Sequence, residues 1–191
     1  MTRDTPSTRD ALIEAGLSLL IEGGPEGLTL RRAAARAGVS HAAPAHHFNG
    51  LPGLQTAIAT RAFALFTETM IRHRDAAEPT PFARLLAICD GYLDFAAQRA
   101  GLFHVMFNCP DLDHTDAALQ SESAKAYGVL REGCLPFSGG PDLVTEGLVW
   151  SSVHGYAMLD FKQDGRQMGE VPPPFRSLLA RLVDPTLSAD R

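Results

Sequence analysis

The stretch Ala37–Leu54, AGVSHAAPAHHFNGLPGL, decides how the rest of the chain is read. Gly38 stands between two apolar residues, Pro44 and Pro52 stand where helices start, and His41, His46 and His47 fall in one short segment. Just upstream, Thr29 is placed to cap a short helix over Leu30–Ala37, LRRAAARA, by accepting an orphan N–H of its first turn. Gly38 then supplies the left-handed residue that ends such a helix. Ser40 is placed to cap a third helix over His41–Phe48, with Pro44 in its first turn, where the missing N–H removes at most one helical bond. Two short helices joined by a tight Gly turn are the geometry of a helix-turn-helix. They are also what a pair of ordinary packed helices with surface histidines looks like, and periodicity does not choose between the two.

The chemistry of the segment suits a reading task. Ala42 and Ala43 keep the third helix slim enough for a major groove about 12 Å wide. The hydroxyls of Thr29 and Ser40 sit at helix starts, where free N–H groups hold phosphate oxygens. His41, His46 and His47 are donors toward phosphates or base edges, and Arg31, Arg32 and Arg36 bring local positive charge. A metal site does not fit. Adjacent His46 and His47 point about 100° apart on a helix, and His41 is off their face, so no metal is expected.

Working outward, strand periodicity is almost absent and helical periodicity is everywhere, so an all-α fold is expected. Leu12, Ala15, Gly16, Leu19 and Leu20 stripe a first helix over Thr8–Glu22, which EGGPEG stops. A long helix over Leu51–Arg74 is apolar on two sides. Further helices are expected from Pro81, over Gly101–Phe107, over Thr115–Gly133 before a turn at LPFSGG, over Asp142–Gln163 and over Phe175–Val183, with an extended connection at DGRQMGEVPPP. The length of 191 residues suits one large or two small domains.

Bulk composition excludes several classes. At 45% hydrophobic and 20% charged residues the chain is an ordinary globular one. It lacks an apolar run of the ~18 residues a membrane span needs, and MTRDTPSTRD carries no apolar signal core, so a cytoplasmic location is expected. Cys89, Cys109 and Cys134 have no zinc-like spacing and read as reduced thiols. The net charge of −5 argues against coating nucleic acid non-specifically but leaves room for a small basic face. No nucleophile elbow, phosphate loop, zinc-protease motif or dinucleotide turn is present, so no enzyme and no cofactor are expected. Asp111, Asp113, His114 and Asp116 read as helix-start chemistry, with Asp113 or Thr115 as cap.

LTLRRAAARAGVSHAAPAHHF resembles the helix-turn-helix signature of the tetracycline-repressor (TetR) family of bacterial transcription regulators, at Thr29, Leu30, Ala34, Ala37, Gly38, Val39, Ser40, His47 and Phe48. GYLDFAAQRAGLFHVMF and WSSVHGYAML are similar to the C-terminal domain of the subgroup that carries a Trp-His-Gly motif, here Trp150, His154 and Gly155. The resemblance implies a three-helix DNA-binding domain over residues 1–50 reading through His41–His47, a larger helical domain over residues 51–191, a homodimer on a palindromic operator in double-stranded DNA, and release by a small hydrophobic or amphipathic effector. Thr29, Arg31, Ser40, His41, Ala42, Ala43, His46 and His47 are the implied DNA contacts. Phe66, Cys89, Leu93, Phe103, Phe107, Tyr127, Trp150, His154 and Met158 are the candidate effector lining, and Leu148, Val149, Leu178, Leu179 and Leu182 the candidate dimer contacts. The chain departs from the family at Ala45 and Leu51, where Tyr and Lys usually hold the DNA backbone. The alternative expectation is therefore a family-like module for a small molecule or a protein, with weakened or lost DNA binding. The acids and bases of residues 1–54 also cancel, with histidine neutral.

Overall fold

The computed structural model describes residues 7–159 and 173–183. Among them all regular structure is helical: α1 (Thr8–Gly23), a 3-10 turn (Pro25–Gly27), α2 (Leu30–Ala37), α3 (Ala43–His47), α4 (Gly50–Ala76), α5 (Pro81–Gln98), α6 (Ala100–Asn108), α7 (Ala117–Ser138), α8 (Leu143–Met158) and α9 (Phe175–Leu182). The all-α expectation holds. No described helix is long and apolar enough to cross a membrane.

Local chemistry sets most of the boundaries. Ser7 Oγ accepts from the Asp10 N–H at the start of α1, and Thr29 Oγ1 accepts from the Arg32 N–H at 3.2 Å to open α2. Gly38, at φ 68°, closes α2 by donating to the Ala34 and Ala35 carbonyls, and Val39 donates to Ala34. Asp142 accepts from the Thr145 hydroxyl and from the Thr145 and Val144 N–H groups at the start of α8, which together hold its carboxyl below the usual carboxylate range.

Three boundaries differ from expectation. The third helix begins at Ala43 rather than His41, and Ser40 does not cap it with its hydroxyl. Pro44 has no N–H to bond four residues back, so the chain makes three-residue turns instead: Ala43 donates to the Ser40 carbonyl and Ala45 to that of Ala42. α7 does not stop before LPFSGG but runs through Pro136 to Ser138. Pro136 leaves the Glu132 carbonyl without its helical N–H, and the stop falls at Gly139, at φ 71°. The cap of α7 is Asp116, whose Oδ1 accepts from the Leu119 N–H at 2.8 Å, while Asp113 turns to the Thr115 N–H and hydroxyl. The expected course of α8 to Gln163 and most of the expected extended connection lie outside the described residues.

The described chain forms two compact units. The first comprises the residues up to Leu65 together with Gln98–Lys125, and the second comprises Phe66–Ala97 with the residues from Ala126 onward. The first unit packs α1, α2, α3 and α6 with the first half of α4. Leu12, Leu20, Ala33, Ala34, Leu54, Ile58 and Leu102 are fully buried, each large aliphatic contributing about 1.5–3 kcal/mol. Gly16 lets α1 close on Ile58 of α4, and Gly101 lets α6 close on the backbone of α1 at Leu20. The second unit packs the rest of α4 with α5, α7, α8 and α9 around Phe66, Met70, Leu85, Ile88, Phe95, Val153 and Leu179. Gly91 and Gly133 seat α5 tightly against α4 and α7. α8 and α9 are joined by Tyr156 on Phe175, with ring centroids 5.3 Å apart, and by the Tyr156 hydroxyl donating to the Pro173 carbonyl.

Candidate nucleic-acid interface and effector chamber

In the first unit, α2, the Gly38 turn and α3 form a short projecting segment. Pro44 and Phe48 are its buried footing, and the Arg9 guanidinium of α1 lies 5.5 Å over the Phe48 ring. Around that footing Thr29, Arg31, Ser40, His41, Ala42, His46 and His47 are exposed, and Ala43 is half-buried. All eight candidate DNA contacts therefore fall on α2, the turn and α3. The helical part is only the five residues Ala43–His47, about 7.5 Å at 1.5 Å per residue, so Ser40, His41 and Ala42 present themselves from the turn.

The charge of this segment differs from the sequence expectation at one residue. Arg36 makes two 2.6 Å contacts to the carboxylate of Glu22 on α1, which hold Glu22 below the usual carboxylate range. Its charge is thus met within the chain. Arg31 and Arg32 are exposed with no ion-pair partner among the described residues, which leaves both as open cations of α2. Neither Ala45 nor Leu51 carries a group that could hold a phosphate, and Ala45 is exposed.

The candidate effector residues fall in both units. Phe103 and Phe107 belong to the first, where Phe107 meets Phe103 at 4.8 Å and Phe63 at 5.5 Å between centroids. Phe66, Cys89, Leu93, Tyr127, Trp150, His154 and Met158 belong to the second. There Phe66 meets Tyr92 and Phe95 edge-on, and Tyr92 bonds to His154 Nδ1 at 2.7 Å. Burial holds the Tyr92 phenol above and the His154 imidazole below their ordinary values. Trp150, on α8 one turn before His154, packs edge-to-face on Tyr127 of α7 at 5.6 Å and is 42% exposed. Cys89 and Cys134 are buried thiols; burial first, then the charge of Glu146, pushes Cys134 up to about 12. Met158 is half exposed at the end of α8.

Sequence reading missed Glu146. It is fully buried on α8 and accepts from the Tyr127 hydroxyl, a bond that raises the phenol above its ordinary value. The available signal was one acid inside the otherwise apolar LVTEGLVW. Also unforeseen is an open groove of about 530 Å³ in the first unit, between α1, α4 and the start of α7. Its walls carry Arg9, Arg61 and several carboxylates, so it is not an apolar chamber. Among the described residues no three His, Cys, Asp or Glu side chains gather to hold a metal ion.

A family model described as tetracyclin repressor-like, C-terminal domain, matches residues 85–184. No curated protein matches the chain. Among solved structures, a protein of unknown function from Rhodococcus sp. RHA1 is 23% identical, with 98% of this chain and 97% of that one covered at a TM-score of 0.74. The multidrug binding protein EbrR, solved with imidazole, is 19% identical, with 94% and 92% covered at 0.66. A tetR-family transcriptional regulator from Streptomyces coelicolor is 23% identical, with 92% and 77% covered at 0.63. These likenesses concern the fold.

Proposed function

The chain belongs to the tetracycline-repressor-like (TetR) family of transcription regulators, and from that premise we propose that it is a ligand-responsive repressor. In this reading it binds a palindromic operator as a homodimer and leaves it when a small amphipathic effector enters the second domain. The observation that carries the reading is the segment Thr29–His47. Its apolar side, Pro44 with Phe48 just beyond, is buried, while hydroxyls, imidazoles and Arg31 face solvent around two alanines. That is a surface for phosphates and base edges rather than for a protein core.

The dimer is supported by α8. Leu143, Val144, Leu148, Met158 and Leu159 are exposed, and a β-carbon added at Gly147 or Gly155 would meet nothing within 4 Å among the described residues. An apolar helix face of this kind needs cover, and a second copy with two-fold symmetry supplies it while presenting two reading segments. Half-sites in DNA lie about 34 Å apart, so a shift of a few ångströms between the two heads breaks register. The effector site we propose lies in the second unit, among Phe66, Cys89, Leu93, Tyr127, Trp150, His154 and Met158. Residues 1–50 are the proposed reading domain and residues 51–191 the effector and dimer domain.

The second reading is a family-like ligand or protein module with weakened DNA binding. Arg36 held by Glu22, together with Ala45 and Leu51, favours it. Selection of bound duplexes from a random pool, at low and at moderate salt, tests both. Enrichment of an inverted repeat at both salts supports the repressor; no enrichment at either overturns it and leaves the second reading.

A further inference from the structure

The inner side of α8 is apolar except at one position. Glu146 precedes Val149 and Val153 on that side and is 1% exposed. A carboxylate removed from water needs compensation, and its oxygens together accept up to about four hydrogen bonds. Among the described residues this one accepts a single side-chain bond, from the neutral Tyr127 hydroxyl to Oε2. Its charge partner, Arg131 Nε, stands 3.8 Å from Oε1, beyond hydrogen-bond reach. The same chain shows what a committed pair looks like: Arg36 grips Glu22 by two contacts of 2.6 Å. Arg131 stands off, is 52% exposed, and has no other carboxylate partner among the described residues.

What flanks the carboxylate is aromatic. Trp150 lies one turn further along α8, and its ring meets the Tyr127 ring edge-to-face at 5.6 Å, with Trp150 partly open to solvent. Two aromatic faces beside a poorly compensated carboxylate suit a weakly hydrated organic cation. The rings attract its charge through their quadrupoles, and the carboxylate neutralises it where water does not compete. A neutral apolar guest would gain nothing from Glu146, and an anion would be repelled.

We infer that the effector carries an organic cation, an alkylammonium or amidinium on an aromatic or aliphatic body, and that Glu146 is the counter-ion that selects it, with Tyr127 and Trp150 against its charge and Arg131 giving way to solvent. This rests on the reading of the second domain as an effector domain. The acidic chain, at a net charge of −5, draws such cations toward it.

The test uses the full-length, DNA-free protein and two fluorescent probes, the cation ethidium and the neutral dye Nile red. The parent chain should bind both. Glu146→Gln keeps the shape and an acceptor for Tyr127; it should weaken ethidium about tenfold or more while leaving Nile red within about twofold. Arg131→Ala should tighten ethidium and leave Nile red unchanged. Equal ethidium binding by the parent and Glu146→Gln overturns the inference, as does parallel loss of both dyes. Should Glu146→Gln fail to fold by circular dichroism, Arg131→Ala decides, and unchanged or weaker ethidium binding overturns the inference. A parent chain that binds Nile red but not ethidium overturns the cation assignment and leaves the effector reading standing. Binding of neither dye overturns both.

Discussion

At Gly101 a single added carbon has nowhere to go: a β-carbon there would lie 2.1 Å from the Leu20 carbonyl oxygen. Backbone cannot swing aside as a flexible side chain can, so Gly101→Ala should destabilise the fold by about 1–3 kcal/mol, the range for overpacking. That lowers the melting temperature by about 2–4 °C per kcal/mol in a chain of this size. Gly128 is the control, since nothing lies within 4 Å of its added carbon and it sits inside α7. There alanine should raise stability by about 0.5–1 kcal/mol in the same melt. His154 makes a pH prediction. Burial lowers its folded pKa below the ordinary histidine value of about 6.5. The unfolded chain therefore takes up the proton first, so stability is full above the ordinary value and falls as the pH drops through it. Melts at neutral and mildly acidic pH should show a smaller acid loss in His154→Gln than in the parent. These residue roles differ in how visible they are in sequence. Thr29 and Gly38 act on groups three or four positions away, so capping chemistry exposes them. Gly101 answers to Leu20, far off in the chain, and no local pattern carries that.

The element that matters most, the α2–turn–α3 segment, was legible in outline and not in detail. Its helix pair follows from Thr29, Gly38 and the apolar spacing. The late start of α3 follows from Pro44, whose cost depends on which carbonyl lies behind it. The fate of Arg36 was not legible, because its partner Glu22 sits on another helix, fourteen positions back. That pair yields a prediction at this scale. Glu22→Ala should release Arg36 toward DNA, strengthen operator binding, and steepen the dependence of log affinity on log salt by about one. A fluorescence-anisotropy titration over several salt concentrations measures it, and an unchanged slope would mean that Arg36 faces away from the phosphates. Glu146 shows a second limit. A lone acid in an apolar helix is visible, but only packing tells a buried carboxylate from a solvated one.

For the whole molecule, the fold class and the family were readable from periodicity and one motif, whereas the division of labour on α8 was not. Val149 and Leu179, expected at a dimer contact, are fully buried in the chain's own core, and Leu148 is exposed. The two kinds of position should separate by experiment. Leu148→Glu should leave the melt of dilute protein nearly unchanged but shift the mass measured by light scattering from dimer to monomer. Leu179→Ala should cost about 2–5 kcal/mol of folding stability. Trp150→Ala should keep operator affinity while abolishing release by effector in the same titration. The tight seat of α6 on α1 has a further meaning for how the molecule breathes. With Leu20's backbone against Gly101, neither helix can pull away alone without exposing the other's apolar side. Their amide protons should therefore exchange with solvent deuterium at one shared opening free energy, as a cooperative block, although some eighty residues separate them along the chain.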